Sequence, residues 1–401
     1  MPDFLLPTPL TDHAQGATHP SGHQGSALRH AAAASIQPAG RPTRRGALFG
    51  LLAIPSLALL PRAAGAQGMP EWLAELKTEW AMFRGRCVTR EGRVLDIAKG
   101  DETHTEGQGF GMLFAAEAGD STTFDRILDW TRRHLRHDRD NLHAWRYRGD
   151  AVDPVADRNN ATDGDILIAW ALMRGADLFS RPALAREAGL IARDILTHCT
   201  REVAGRLVLL PAMRGFEKRD HVVLNPSYYI FPALSDFERV VPGPQWRRLV
   251  ADGLAIVGEA RFGRWGLPAD WIELPREPSF GMRMASSWPT RFSWDAVRVP
   301  LYLAWGRHTE SPALKSSIAF WTAHPMTRLP AWADLRSNAL APYPGHAGVQ
   351  AVAMLAAATA DRTRKLQDLP RGGQATDYYG ASLVMLSRIA WQEARAGAPI
   401  V

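Results

Sequence analysis

The stretch Thr105-Glu106-Gly107-Gln108-Gly109-Phe110-Gly111-Met112-Leu113-Phe114-Ala115-Ala116 begins with one carboxylate among small and polar residues and ends in an unbroken apolar run. Such a pattern opens a helix whose body is buried and leaves Glu106 at the first turn, outside the core. Two further stretches share the design. Ala161-Thr162-Asp163-Gly164-Asp165 precedes the apolar Ile166-Leu167-Ile168-Ala169, and Ser293-Trp294-Asp295-Ala296-Val297-Arg298 opens a third apolar segment. Three carboxylates on three helix starts point to acid–base chemistry.

Working outward, apolar residues recur every three or four positions in eleven segments: 72–83, 110–118, 124–135, 166–179, 184–198, 229–240, 246–260, 296–305, 314–321, 349–360 and 383–394. Gly/Pro-rich loops separate them. Strand signals are few, with Gly92–Asp96 and Gly205–Leu210 as candidate hairpin arms. No fixed-length repeat and no Pro/Ser-rich linker divides residues 67–401, so they are expected to form a single catalytic domain of helical hairpins. About twelve helices in one domain can close as a double ring, and such a ring places alternate helix N-termini on one rim. The expected fold class is therefore all-α, an α/α toroid with a few short strands.

The chain has 401 residues, 46% hydrophobic and 22% charged, an ordinary globular balance. Its net charge is +6. Residues 1–66 hold five Arg, two Asp, no Lys and no Glu, a net of +3, so about +3 remains for the rest. That surplus is too weak to imply a nucleic-acid partner. Residues 1–66 read as an export leader. Thr43-Arg44-Arg45-Gly46-Ala47-Leu48-Phe49 resembles a twin-arginine motif, an apolar run follows to Leu60, and Ala64-Gly65-Ala66 is a small-x-small cleavage site before Gln67. The run is too short to span a bilayer. A periplasmic or secreted protein without stable membrane insertion is expected. Cys87 and Cys199 are the only cysteines; a single bridge is possible, and buried free thiols are the preferred reading.

Each acid also has a purely structural reading. Thr103 and Glu106 fit the Thr-x-x-Glu capping box. Against that stand Gly107, Gly109 and Gly111, each weakening a helix by about 1 kcal/mol relative to alanine; close approach of a ligand to the backbone accounts for them better. Thr162 or Asp163 can cap the helix that follows. Capping is preferred for Asp165, which leaves Asp163 to face a cleft. Ser293 can cap a helix with Asp295 in its first turn and Arg298 three residues on. Helix dipoles favour the ionised form of all three acids, and a carboxylate held ionised suits a general base.

The chain has 14 Trp. Trp80, Trp130, Trp170 and Trp305 lie within helical patterns and read as packing. Trp145, Tyr147, Trp265, Trp271, Trp288 and Trp294 lie in or beside loops, where aromatic faces can stack on sugar rings. No HExxH, P-loop or GxSxG is present, and His104 and His143 lack ligand spacing, so no metal or cofactor is expected.

Together these motifs resemble family 8 of the glycoside hydrolases, most closely its bacterial branch of endoglucanases (carboxymethylcellulases) from cellulose synthase operons. Residues 105–112 look like the family's Ser-Glu-Gly-Gln-x-Tyr-Gly-Met. Residues 161–165 look like its Ala-Ser/Thr-Asp-Gly/Ala-Asp, and residues 293–298 like its Ser-Tyr-Asp-Ala-x-Arg. Leu142-His143-Ala144-Trp145, Asn225-Pro226-Ser227-Tyr228-Tyr229 and Asp377-Tyr378-Tyr379-Gly380 are weaker echoes. The likeness runs from about Trp80 to Arg388, with Thr for Ser at 105, Phe for Tyr at 110 and Trp for Tyr at 294.

The resemblance implies an (α/α)6 barrel that cuts β-1,4-glucan internally with inversion. It implies Glu106 as general acid, Asp295 as general base and Asp163 as the residue that binds and distorts the sugar. Trp145 would stack on a sugar, Arg298 would hold Asp295, and Tyr228 would help place the water. Gln108 and Tyr378 complete the expected substrate-binding set. The expected partner is a β-1,4-glucan, with association to a cellulose synthase complex as a further implication. Xylan, chitosan or mixed-linkage glucan remain open as substrates, as does a non-catalytic glycan-binding scaffold.

Overall fold

A computed structural model describes residues 70–361, 369–375 and 377–396. The expected leader, with its twin-arginine-like motif and cleavage point before Gln67, lies outside the described residues.

Eleven α-helices occur among the described residues, one for each periodic segment of the sequence. They are α1 (Glu71–Cys87), α2 (Thr105–Glu117), α3 (Ser121–His134), α4 (Thr162–Leu178), α5 (Pro182–His198) and α6 (Phe231–Asp236). The chain continues with α7 (Pro244–Glu259), α8 (Arg298–Trp305), α9 (Pro312–Thr322), α10 (Ala347–Ala360) and α11 (Tyr378–Ala396). The segment expected over 229–240 is the one that breaks. Its α-helix is short and passes into a 3-10 turn, Phe237–Arg239.

Two rings result. In the inner ring α2 touches α4, α4 touches α6, and contact passes on through α8, α10 and α11 back to α2. The outer helices cover the seams: α3 packs on α2, α5 on α4, α7 on α6, α9 on α8 and α10, and α1 on α11 and α2. This is the (α/α)6 barrel. Side-chain chemistry follows the position. In α4 every residue from Thr162 to Met173 is buried, as an all-round apolar helix requires. α5 buries only a stripe, Leu184, Ala188, Gly189, Ile191, Ala192 and Ile195, at the spacing of one helical face.

Glycines set how closely α2 and α4 approach. A Cβ on Gly109 would sit 2.5 Å from Leu167 Cβ and 3.0 Å from the Ile168 nitrogen. A Cβ on Gly164 would lie 2.0 Å from Thr105 Oγ1 and 2.9 Å from the Glu106 nitrogen. Gly107 and Gly111 are likewise filled against Tyr378, and against Val94 and Ile127. The expectation that these glycines admit a ligand is therefore corrected: they admit neighbouring protein, and the helix-weakening cost is offset by tight interhelical packing.

Short hairpins link the helices. Thr200–Val203 pairs antiparallel with Arg206–Leu209, as expected for the second candidate arm. The two-residue turn between them, Ala204-Gly205, has positive φ at both positions (50° and 77°), the twist a tight hairpin needs. The first candidate arm forms only single bridges, Val88 to Val94 and Asp96 to Glu102. A three-stranded sheet has Ile272–Pro275 between His221–Leu224 and Arg283–Met284. Cys87 and Cys199 are buried free thiols, and burial pushes them up to about 11 and about 12 respectively. No helix among the described residues is long and apolar enough to cross a membrane.

Candidate active site

The inner ring brings the starts of its helices together. Glu106 is the second residue of α2, Asp163 the second of α4, Ser227 and Tyr228 precede α6, and Arg298 opens α8 with Asp295 three residues before it. His346 caps α10, and Tyr378 and Tyr379 open α11.

Arg298 is the hub. One guanidinium nitrogen, Nη1, donates to Glu106 Oε1 and, at 3.4 Å, to the Tyr379 hydroxyl. The other, Nη2, donates to Ser227 Oγ at 2.9 Å and Asp295 Oδ1 at 3.1 Å, and more loosely to Asp163 Oδ2 at 3.5 Å. Only 4% of Arg298 is exposed. Burial works against its charge, but Glu106, Tyr379, Asp295 and Asp163 outweigh it and hold the guanidinium ionised far above its ordinary range. The guanidinium fork thus spans two carboxylates in a way a lysine ammonium cannot.

One cation faces three acids, so the cluster keeps a proton. Asp163, 5% exposed, is pushed up to about 8, first by burial, then by Glu106, with Asp295 adding and Arg298 opposing. The Gly164 N–H donates to its Oδ1 at 2.8 Å. The expectation that the helix dipole favours the ionised form at all three acids is corrected here, because loss of water around Asp163 outweighs the dipole. Asp163 thus holds a proton beside a guanidinium that it shares with Glu106 and Asp295, an arrangement suited to acid–base chemistry.

Asp295 is held on both oxygens, Oδ1 by Arg298 and Oδ2 by Trp271 Nε1 at 3.0 Å. Ser293 does not cap a helix. It begins a turn that runs to Val297, and α8 starts only at Arg298. The cap comes from Asp270, which sequence reasoning missed. Its Oδ1 accepts from the backbone N–H of Ser293 (3.0 Å) and Ala296 (2.8 Å), and its Oδ2 from Ser293 Oγ. Burial, then the nearby Asp295, push Asp270 up to about 7.

Among the other expected residues, Tyr228 lies edge-on to Trp271, ring centroids 6.1 Å apart. Burial foremost, then Asp163 and Asp295, keep its phenol protonated far above its ordinary range. Trp145 is half-buried beside the start of α2, where its carbonyl accepts from the Thr105 N–H at 3.0 Å. Its indole donates to Asp157 (2.8 Å), and His104 and Arg146 lie against its ring. Gln108 is not at the site. It is fully buried on the opposite face of α2, where it accepts from the Val94 N–H (2.6 Å) and donates to the Gly92 carbonyl (3.1 Å) and Thr131 Oγ1 (2.8 Å); the expectation of substrate contact is corrected. Tyr378 is also internal, 3% exposed and wedged against Gly107. Its neighbour Tyr379 instead reaches the cluster, accepting from Arg298 and donating to the Trp294 carbonyl.

The structural readings resolve unevenly. The Thr103–Glu106 capping box does not form, because Thr103 is in a strand, donating to the Val94 carbonyl, while Glu106 turns to Arg298. Asp165 caps nothing. It is fully buried and accepts from His143, through both backbone N–H (3.0 Å) and Nδ1 (2.9 Å), and from Asn160 Nδ2 (3.0 Å). Of the loop aromatics, Trp294 is exposed, its ring stacked on His346. Trp271 stacks on both Phe216 and Trp288 (centroids 5.7 and 4.8 Å), which also touch each other, whereas Trp265 packs on Phe320 and Tyr147 on Trp130. Trp80, Trp130, Trp170 and Trp305 are core, as expected.

Comparison with known proteins bears on this arrangement. The chain is 40% identical over 330 residues to a probable endoglucanase of Novacetimonas hansenii, covering 82% of this chain and 94% of that one. It is 38% identical over 306 residues to an endoglucanase of Cellulomonas uda, covering 76% and 81%. The solved endo-β-1,4-glucanase of Acetobacter xylinum superposes with a TM-score of 0.77 at 40% identity, over 80% of this chain and 99% of that one. The pattern of glycosyl hydrolases family 8 matches residues 59–393, and the chain belongs to that family.

Proposed function

We propose that this protein is an endo-β-1,4-glucanase that hydrolyses internal bonds of a cellulose-type glucan with inversion. The observation that carries the reading is the arginine hub: Arg298 gathers Glu106, Asp163 and Asp295 where inner helices begin. The relatives named above as endoglucanases support the substrate class.

In this reading Glu106 is the general acid and Asp295 the general base. Asp295 takes a proton from a water whose oxygen attacks the anomeric carbon from the face opposite the leaving sugar. The glycosidic bond breaks as Glu106 gives its proton to the leaving oxygen, and the product is the α-anomer. Arg298 occupies Glu106 Oε1, which leaves Oε2 to carry the transferred proton. Arg298 and Trp271 orient the Asp295 carboxylate toward the water, and Tyr228, beside Trp271, supports the water's placement. Asp163, its carboxyl pushed up to about 8 by burial and then by Glu106, offers a hydrogen bond to the distorted sugar. Trp145 and the exposed Trp294 supply apolar faces for sugars on either side. The leader read from the sequence, and the resemblance to enzymes of cellulose synthase operons, support work outside the cytoplasm alongside cellulose synthesis.

The test is proton NMR of cellohexaose with protein beginning at Gln67. Fresh product appearing first as α-anomer is expected. Fresh β-anomer would remove Asp295 from the role of base, and an uncut substrate would shift the reading to another glycan or to a binding scaffold.

A further inference from the structure

Asp295 lies neither in a helix nor in a strand. Its backbone belongs to the turn between Phe292 and Arg298, and a turn has no helical or sheet ladder of its own to hold it rigid. Yet a general base has to be held within a fraction of an ångström of its water. The structure supplies the rigidity from a different part of the chain. Asp270 receives three hydrogen bonds from the turn, two from backbone N–H groups and one from Ser293 Oγ, and it is itself anchored by its N–H to the Arg291 carbonyl at 2.8 Å. The next residue, Trp271, donates to the Asp295 carboxylate at 3.0 Å. Its ring packs with Phe216 and Trp288 in a three-ring cluster, and its carbonyl accepts from the Ala285 N–H at 3.0 Å.

We infer that Asp270 is a positioning residue for the hydrolysis. By capping the turn Ser293–Val297 it fixes the backbone of Asp295, while Trp271 fixes the side chain, so two consecutive residues aim the base. The inference rests on the proposed role of Asp295. Asp270 is buried, and its three side-chain hydrogen bonds all go to this one turn, none to Glu106 or Arg298.

The variants Asp270→Ala, Asp270→Asn and Asp295→Asn test it, assayed on cellohexaose and on an aryl β-cellotrioside with a nitrophenolate leaving group. The aryl substrate needs no proton from Glu106, yet still needs the base. Asp270→Ala is expected to lower kcat about 100-fold on both substrates with KM within about threefold, the scale on which a small misplacement of a reacting group acts. Asp270→Asn keeps the acceptor for the two backbone N–H groups, so it should recover about tenfold of that loss. Should the alanine variant not fold, the asparagine variant decides, with a reduced kcat at unchanged KM expected. The inference is overturned if a folded Asp270 variant keeps parental kcat while Asp295→Asn is inactive, or if the loss vanishes on the aryl substrate. Full activity of Asp295→Asn would instead overturn the assignment of the base.

Discussion

Two arginines gather carboxylates at opposite ends of the inner ring, and they do it with different ratios. Arg298 meets Glu106, Asp163 and Asp295 where helices begin. Arg174, near the end of α4, meets two: Glu117, the last residue of α2, at 2.7 Å, and Glu393, near the end of α11, at 2.6 Å. The second oxygen of Glu393 accepts from Trp305 Nε1 at 2.7 Å. A cation at helix C-termini complements the dipoles there, and a tryptophan N–H shares the remaining charge, so the lower cluster is a strut. Burial pushes up a carboxyl in each cluster, Glu117 in the lower and Asp163 in the upper, but only in the upper does a third carboxylate, Asp295, share the guanidinium.

The sharpest way to break this comparison is to replace each arginine by lysine, which keeps the charge and loses the fork. Arg298→Lys is expected to lower kcat on cellohexaose about 1000-fold. Arg174→Lys should leave kcat within about twofold and cost about 1–2 kcal/mol of unfolding free energy in urea. Comparable losses of activity in both would mean that the lower cluster is no mere strut.

Next in size are two glycines of α4. A Cβ on Gly164 meets Thr105 and the Glu106 nitrogen, whereas one on Gly175 meets the Phe124 ring at 2.8 Å, a side chain that can turn. Gly164→Ala and Gly175→Ala should each cost about 1–3 kcal/mol by overpacking. Only the former should also lower kcat, by about tenfold, because it pushes Glu106 away from Asp163. Equal kcat values in the two variants would argue against helix spacing as the control of the acid pair.

The pH dependence sharpens the comparison further. Asp163, pushed up to about 8 by burial and then by Glu106, gives up its proton on the alkaline side. In Asp163→Asn the repulsion between the two carboxyls is gone, so the alkaline limb of kcat should move to lower pH. A profile that keeps its alkaline limb would sever Asp163 from the acid.

The smallest effect is on stability. Asp163 and Glu117 both have carboxyls pushed up in the fold, foremost by burial. A carboxyl that binds its proton more tightly folded than unfolded makes stability fall as pH rises above the unfolded value, about 4. For Asp163 that loss is complete only above pH 8. Asp163→Asn and Glu117→Gln escape it, so their melting temperatures relative to the parent should rise between pH 4 and pH 9, by a few degrees. A gap that narrows with rising pH would contradict the sign for either residue.

The helices and the three acids were legible in the sequence, because a 3.6-residue period and a carboxylate before an apolar run are local signals. What was hidden depends on distant contacts. Asp270 reads as one more loop aspartate until folding places it under a turn that follows more than twenty residues later. Gln108 and Tyr378 sit in the right motifs, yet helical rotation turns them inward; Tyr379, one residue on, turns outward. Gly107, Gly109 and Gly111 signal close approach correctly, but a sequence does not say whether ligand or helix approaches. Thr103 and Glu106 have cap spacing, and a strand and an arginine, both supplied by distant chain, compete for them.

The ring also closes late. The Gly372 N–H donates to Glu79 Oε2 of α1 at 2.6 Å, across 293 positions of sequence, and Arg388 of α11 reaches Glu79 and Glu75 as well. Glu106 is made 273 residues before Tyr379, which bonds the hub. Such long-range closure is slow. During translation the nascent chain holds Glu106, Asp163 and even Asp295 without the last inner helix to complete their surroundings. Catalytic competence therefore arrives as a single late event rather than growing with chain length, and a truncated product of this gene would be expected to be inert rather than partly active.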